Sequence, residues 1–395
     1  TRLSGYMFEN ALTAGLTSSG MNVLLLGPVP TPAVGLLTNS MRADLGIMIS
    51  ASHNEHKDNG IKFFGPDGYK LSDSVEVEIE ALVSQGVDCV SPENIGRAKR
   101  IDDGRYRYIE RVKSSFPNQM RLDGLKVVID CANGAGYRAA PEVLWELGAE
   151  VVPVGVSPDG RNINLDCGST SPRVAAETVV AHGADVAICL DGDADRVLII
   201  DEKGCSIDGD HFLGMIGSRW LKEGSLVQNT LVSTVMSNMR LETFLNREGI
   251  KLVRTAVGDR YVVEQMRFNG FNLGGEKSGH VVMMDYSTTG DGLMAGLQFL
   301  AEMVRRGEPA SVVGRPFDLA PQKTENITYS GDKNPLDTPS VKKIISESEK
   351  KVSGLGRLLV RKSGTERLIR VMVEAEDISI IDATISSIGK AIKEI

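Results

Sequence analysis

The chain has 395 residues, enough at roughly 100–200 residues per domain for two to four domains with their own cores. A formal net charge of −8 argues against a protein that wraps a nucleic-acid backbone, and 42% hydrophobic with 24% charged residues is the profile of a folded, soluble protein. No apolar run approaches the ~18–20 residues of a membrane span, and the five cysteines (Cys89, Cys131, Cys167, Cys189, Cys205) lack a CxxC pair, so a reducing cytoplasm is expected rather than a disulfide framework or a zinc site.

In chain order, Phe8, Leu12 and Leu16 lie four apart and predict a helix. Residues 20–30 read G-M-N-V-L-L-L-G-P-V-P, and the apolar run 43–49 reads as a buried strand opening into Ser50-Ala51-Ser52. Residues 105–116 suggest a helical linker that ends a first unit, and residues 125–130 a strand that starts a second. Val143, Leu144 and Leu147 fit one helical face; residues 148–158 then repeat the Gly, Val, Gly and Pro of residues 20–30 at offsets 0, 3, 7 and 10. The run 184–190 again opens into a polar loop, Asp191-Gly192-Asp193, and residues 219–224 close the second unit. A weaker third copy begins at Gly249, with Leu241, Phe244 and Leu245 ahead of it, and Phe271-Asn272-Leu273 opens into the loop 274–280. The tail differs: a strand over 324–329, a helix over 341–352, a strand over 358–361 and a closing helix over 380–394. The expected fold is α/β, three similar mixed α/β units plus a smaller C-terminal α+β domain around a central cleft, with domains at 1–117, 118–224, 225–315 and 316–395. Each repeat places a polar loop at the carboxyl end of a strand, where ligands of open α/β sheets bind.

Each of four loops admits two readings. Ser52 in Ser50-Ala51-Ser52-His53-Asn54 is a nucleophile or a turn serine; no G-x-S-x-G elbow surrounds it, so a Ser-His-Asp hydrolase fits poorly. Asp191, Asp193 and Asp195 alternate on one loop and repel one another unless a cation neutralises them, so the loop is a hard-metal site or an acidic turn. A calcium EF-hand is disfavoured, because Arg196 stands where the sharp turn needs Gly and both flanks look like strands. Arg196 either reaches a phosphoryl oxygen or balances charge. Residues 274–280 bring Glu276, Lys277, Ser278 and His280 among three glycines, either a sugar-hydroxyl site or a plain Gly-rich turn. Arg361, Lys362, Ser363, Gly364 and Thr365, with Arg370 beyond, form a phosphate cradle or a solvated basic turn. Together the four loops suggest phosphoryl transfer to or from a phosphosugar.

Ser-Ala-Ser-His-Asn (50–54), Asp-Gly-Asp-Ala-Asp-Arg (191–196), Gly-Glu-Lys-Ser-Gly-His (275–280) and Arg-Lys-Ser-Gly-Thr-Glu (361–366) resemble, in identity and order, the motifs of the α-D-phosphohexomutases. Residues 58–65, 158–164 and 167–170, and Lys277 ahead of Ser278, bring the chain nearest the bacterial amino-sugar branch; phosphomannomutase/phosphoglucomutase activity is the alternative. The resemblance implies interconversion of glucosamine 6-phosphate and glucosamine 1-phosphate, feeding UDP-N-acetylglucosamine synthesis. It implies a phosphoserine at Ser52, one Mg²⁺ held by Asp191, Asp193, Asp195 and a phosphoryl oxygen on Ser52, and a glucosamine 1,6-bisphosphate intermediate. Glu276 and Ser278 would bind sugar hydroxyls, Arg361, Ser363, Gly364, Thr365 and Arg370 the non-reacting phosphate. Lys62, His53, His280 and Arg196 would stand near the transferred group, and Gly258 and Asp259, within residues 255–260, are candidates for sugar selectivity. The implied partner is a small phosphosugar, with no nucleic acid and no membrane; related bacterial enzymes are often dimers, so a homodimer is an expectation. Glu55 and Arg367 replace family prolines, and Thr1-Arg2-Leu3-Ser4-Gly5 corresponds to a point after the family's opening segment, so an active-site arginine is expected to be missing and the first unit weakened.

Overall fold

The computed structural model describes residues 1–86, 88–329, 334–362 and 367–393. The chain divides into two compact units: Thr1–Met236 with Gly249–Pro316, and Ser237–Glu248 with Phe317–Ile395.

In the first unit, β1 (Val23–Leu25) pairs in parallel with β4 (Ala98–Arg100), and β2 (Gly46–Ile49) antiparallel with β3 (Ile61–Phe64), which sets Met48 opposite Lys62. A five-stranded sheet follows, in the order β6 (Glu150–Val154), β5 (Lys126–Asp130), β7 (Val186–Leu190), β8 (Val197–Asp201), β9 (Ser206–Ile207). A four-stranded sheet runs β11 (Lys251–Thr255), β10 (Thr230–Thr234), β12 (Leu273–Gly275), β13 (Val281–Met283). Both sheets repeat one pattern: parallel pairing through β6-β5-β7 and β11-β10-β12, then an antiparallel return, β7 to β8 and β12 to β13. The hairpin of β2 and β3 is the same return. The three polar loops therefore occupy equivalent turns, as the internal repeat predicts. Every residue of β7 is buried, which explains its uninterrupted apolar run: a central strand covered on both faces has no polar side to show.

Helix ends follow local chemistry. The Asp291 carboxylate accepts from Met294 N–H to cap the helix Gly292–Arg306, which ends at left-handed Gly307 with Arg305 and Arg306 in its last turn. The helix Arg173–His182 stops likewise at left-handed Gly183. Two elements differ from the sequence reading. The helix Gly104–Lys113 is no exposed linker: Tyr108, Ile109 and Val112 are buried, and Tyr108 OH donates to the Asp291 carboxylate at 3.0 Å. The third glycine-rich strand also sits two residues later than residues 271–273 suggest, because Gly274 and Gly275 pair with Val232 and Ser233.

The second unit is a three-stranded antiparallel sheet, β14 (Gln322–Thr328), β16 (Leu368–Ala375), β15 (Gly356–Lys362), with the helices Pro339–Val352 and Ile378–Lys393. Ile327, Val341, Ile369, Val371, Ile385 and Ile388 are part of its core. It also includes the helix Met239–Glu248, which the sequence pattern places at the head of the third repeat. Leu241 and Leu245 are fully buried, Phe244 stacks on Phe317 with ring centroids 4.9 Å apart, and Met239 N–H donates to Glu374 Oε1 at 2.9 Å. Those contacts are long-range, and helical periodicity does not carry them.

Ile188, fully buried at the middle of β7, tests the central sheet. Ile188→Ala is expected to cost about 2–5 kcal/mol, read from urea unfolding; a loss under ~1 kcal/mol would contradict its place in the core.

Candidate active site

The loop between β2 and β3 carries Ser52 in the left-handed region, with φ 51°. Its Oγ donates to Asp191 Oδ2 at 2.8 Å. Ser52 N–H donates to Ser50 Oγ at 3.2 Å, and Ser50 Oγ in turn donates to Asp193. The approach of the two loops is close: a Cβ on Gly192 would fall 2.7 Å from Ser52 O, so only glycine fits there. Two residues outside the motifs hold the serine loop. Arg2 Nη2 donates to Ser52 O at 3.0 Å and Asn54 O at 2.8 Å, and its Nη1 to Ser50 Oγ at 2.9 Å. Asn164 Nδ2 donates to the same two carbonyls at 3.0 and 2.8 Å. Sequence reasoning gave neither a role, because their partners are backbone carbonyls and leave no chemical signature; Asn164 stood in view at the end of residues 158–164 and Arg2 within a segment read only for what precedes it. His53, between the clamped peptides, is exposed and makes no hydrogen bond to the three aspartates.

Asp191, Asp193 and Asp195 are buried, at 1%, 0% and 3% exposure. The Lys62 ammonium, projected from β3, pairs with Asp193 and lies 3.5 Å from Asp195. Burial alone would drive Lys62 toward its neutral form, but Asp195 and Asp193 outweigh it and hold the ammonium more firmly protonated than usual. Asp195 shows the reciprocal balance: burial disfavours its charge, but the nearby cations, Lys62 foremost, keep it below the usual carboxylate range. Asp191 goes the other way. Burial and its two neighbouring aspartates push it well up, against the Ser52 hydrogen bond and Arg196. Arg196 N–H donates to Asp191 Oδ1 at 3.2 Å. Among the described residues, no three His, Cys, Asp or Glu side chains are already gathered around one point as a metal cage. The donor set nonetheless suits a hard divalent cation: three buried carboxylates on one loop, one unable to ionise comfortably, and Asp195 Oδ1 buried with no hydrogen-bond partner.

The third loop turns tightly, with Glu276 N–H donating to His280 O and Gly279 N–H to Glu276 O, both at 2.9 Å. Gly279 has φ 86°, and a Cβ there would meet Val197 O at 1.9 Å, which seats this loop directly on the start of β8. Gly258 N–H donates to Glu276 Oε1 at 3.2 Å, and burial raises the Glu276 carboxyl against the pull of Arg196. His280 is buried 4.0 Å from Asp195 and 3.7 Å from Asp259, and accepts from Gly290 N–H through Nε2 at 3.2 Å. Burial pushes its imidazole down to about 4 despite those two carboxylates. Asp259 pairs with Lys70, a residue the sequence reading did not single out. A cavity of about 230 Å³ lies here, lined by Lys62, Phe63, Lys70, Glu76, Asp259 and Arg260 among others. Ser52, Lys62, Arg196, the three aspartates, Gly258, Asp259, Glu276 and His280 thus adjoin through a chain of contacts; Ser278 and His53 are exposed, though burial and then Arg196 lower the His53 imidazole, which also feels Asp195, Asp193 and Lys62.

In the second unit, Arg361 and Arg370 stand directly opposite each other on β15 and β16. Burial and then Arg370 lower the Arg361 guanidinium. Like charges in register repel, an arrangement that suits an anion. Ser363, Gly364 and Thr365 lie outside the described residues.

Four family models cover this architecture: phosphoglucomutase/phosphomannomutase alpha/beta/alpha domain I over residues 1–87, domain II over 106–204, domain III over 208–316, and the C-terminal domain over 325–386. The chain belongs to the phosphoglucomutase/phosphomannomutase family. Within that family it groups with the phosphoglucosamine mutases. It is 67% identical over 393 residues to the phosphoglucosamine mutase of Ruegeria sp. (strain TM1040), covering 100% of this chain and 88% of the relative. The Roseobacter denitrificans phosphoglucosamine mutase is also 67% identical, over 394 residues and with the same coverage. Among solved structures, a phosphoglucomutase/phosphomannomutase family protein from Burkholderia thailandensis shares the fold with TM-score 0.81 at 23% identity, over 99% of this chain and 86% of that one. The Aspergillus fumigatus N-acetylphosphoglucosamine mutase, solved with GlcNAc-6P and magnesium, gives TM-score 0.68 at 18% identity, over 98% of each chain.

His280 held at about 4, against an ordinary value near ~6.5, makes a signed prediction. The ring stays neutral at neutral pH, and stability drains away as pH falls from about 6.5 toward 4, because the unfolded chain takes up the proton first. An NMR titration of the His280 ring should show no midpoint above pH 6; a midpoint near 7 would contradict this environment.

Proposed function

We propose that the protein interconverts glucosamine 6-phosphate and glucosamine 1-phosphate, as a phosphoserine isomerase of the family to which it belongs. The observation that carries the reading is the Ser52 Oγ hydrogen bond to a buried aspartate whose neighbours are two more aspartates and a lysine. Identity of 64–67% over this whole chain and 88% of the length of curated phosphoglucosamine mutases supports the substrate over hexose phosphates without an amino group.

Ser52 carries the phosphoryl group. In the first half-reaction the Oγ–phosphorus bond breaks as the sugar 1-hydroxyl oxygen bonds to phosphorus, giving the 1,6-bisphosphate. In the second, the 6-phosphoryl group returns to Ser52 Oγ and glucosamine 1-phosphate remains. Lys62, locked as an ammonium, and Arg196 offset negative charge on the group in transit. His280, neutral at its buried position, would accept the proton of the reacting hydroxyl, and Lys62, held as an ammonium, would donate one to a departing oxygen; His53 is the further candidate for acid–base work. Asp191, Asp193 and Asp195, with a phosphoryl oxygen on Ser52, would hold one Mg²⁺, which when bound supplies positive charge to the phosphoryl oxygens. Glu276 and Ser278 bind sugar hydroxyls, and Gly258 and Asp259 contribute to selectivity. Arg361 and Arg370, with Ser363, Gly364 and Thr365, grip the phosphate that is not reacting. The same reading keeps the four-domain division at 117, 224 and 315, and takes a homodimer in the cytoplasm as the working form. No helix among the described residues is long and apolar enough to cross a membrane.

Ser52→Ala is expected to lower kcat by about 10³-fold or more, with kcat/KM of the parent enzyme highest for glucosamine 6-phosphate among the glucosamine, glucose and mannose 6-phosphates. Chelation should abolish turnover and Mg²⁺ restore it. Undiminished turnover by Ser52→Ala would remove the phosphoserine role; a preference for mannose or glucose 6-phosphate would move the protein to the phosphomannomutase/phosphoglucomutase activity.

A further inference from the structure

Asn164 lies in the loop that joins β6 to the helix Arg173–His182, and no motif chemistry demands it. Its side chain is 8% exposed and spans 112 residues of sequence to reach Ser52. The amide donates both its hydrogens to main-chain oxygens of the serine loop, Ser52 O at 3.0 Å and Asn54 O at 2.8 Å. These two carbonyls converge on one point from either side of His53, so they repel each other unless donors lie between them. Arg2 supplies one such donor from the other side and Asn164 the second. The mounting is firm: Asn164 N–H donates to Ala132 O at 2.9 Å, and its own φ is 56°, a conformation that asparagine tolerates better than most residues. Its Oδ1 is buried with no hydrogen-bond partner. A residue chosen for stability alone does not leave a buried acceptor unpaired, since that carries a desolvation penalty; here the amide nitrogen is what the position uses.

The clamp acts on a peptide in an unfavourable state. Ser52 holds φ 51°, and relaxation of that residue toward extended backbone would swing Oγ away from Asp191. The loop needs this conformation in both phosphorylated and free forms, because the proposed reaction requires Ser52 to give up and retake a phosphoryl group from one place.

We propose that Asn164 is a positioning residue for phosphoryl transfer: its amide, with Arg2, locks the Ser52 and Asn54 carbonyls so that Ser52 Oγ stays aimed at the aspartate loop. This rests on the reading of Ser52 as the phosphoryl carrier. The full chain is assayed with glucosamine 6-phosphate as parent, Ser52→Ala, Asn164→Gly and Asn164→Asp. Asn164→Gly removes the donor while allowing positive φ without strain. It is expected to lower kcat about 100-fold, the scale of an ångström-sized misplacement, with KM within about threefold of the parent. Asn164→Asp places a carboxylate against two carbonyls. Its kcat relative to the parent should rise as the pH is lowered, because the protonated acid regains one O–H donor; a purely structural role predicts no such acid rescue. Parent-like kcat in Asn164→Gly, or a loss equal in KM with kcat unchanged, overturns the inference. If Asn164→Gly does not fold, the acid rescue of Asn164→Asp decides: present, it supports the clamp; absent, it overturns it. A parent enzyme that does not interconvert the two phosphates overturns the functional reading beneath it, an outcome distinct from an active parent with an unaffected Asn164→Gly.

Discussion

Everything in the first unit serves one meeting of two loops. Ser52 and Asp191 are 139 residues apart in sequence and share a hydrogen bond of 2.8 Å. Neither loop could form the contact by itself. The serine arrives from the turn of the β2–β3 hairpin, the aspartate from the turn between β7 and β8, and the glycine beside Asp191 provides the space in which the two backbones touch. The sheets explain why the turns are in comparable places. The two larger sheets each end in an antiparallel return beside parallel strands, and the β2–β3 hairpin is the same return by itself, so repetition of one modest unit presents three chemically different loops on comparable turns.

The second constraint is electrostatic. Removing a lone carboxylate from water costs several kcal/mol even after relaxation, and three of them on one loop would be untenable unneutralised. Charge pairs near 4 Å at an effective dielectric of ~20 are worth roughly 4 kcal/mol, so Lys62 can offset Asp193 and Asp195. It leaves Asp191, which sits beside the serine hydroxyl, as the carboxylate least at ease with its charge. A site with a deficit of positive charge next to a hydroxyl that can be esterified is suited to a group that brings a cation with its phosphate. Nearby, His280 stays neutral and Asp259 is satisfied by Lys70, while buried Glu276, like Asp191, has a carboxyl pushed up by burial.

Much of this was legible in the sequence, and the pattern of what was not has a physical reason. Hairpins with buried strands, such as β7 running into Asp191, are short-range objects, and their apolar runs and polar turns lie next to each other in the chain. The candidate side chains Ser52, Asp191, Asp193, Asp195 and Glu276 stood out in the sequence because carboxylates and hydroxyls on polar loops after apolar runs are distinctive, and the fold brings them into one chain of contacts. Arg2 and Asn164 could not be read, since they act on main-chain oxygens that every residue possesses. Gly192 looked like a loop glycine, yet its importance comes from a backbone 140 residues away. The helix Gly104–Lys113 looked like a connector because its polar face dominates its composition; its buried face, with Tyr108 on Asp291, is visible only once the helix Gly292–Arg306 is in place. The helix Met239–Glu248 shows the same limit at the level of units: its amphipathic pattern is clear, but the choice of partner rests on Phe317 and Glu374.

The most direct measurement is a rapid chemical quench of the phosphorylated enzyme mixed with glucosamine 6-phosphate, with the phosphoryl group located on the peptide by mass spectrometry and followed into the sugar. The structure predicts that the group sits on Ser52 alone and leaves it, at least as fast as kcat, to give a sugar bisphosphate. Phosphate on another residue, or a Ser52 ester that persists through many turnovers, would contradict the central claim.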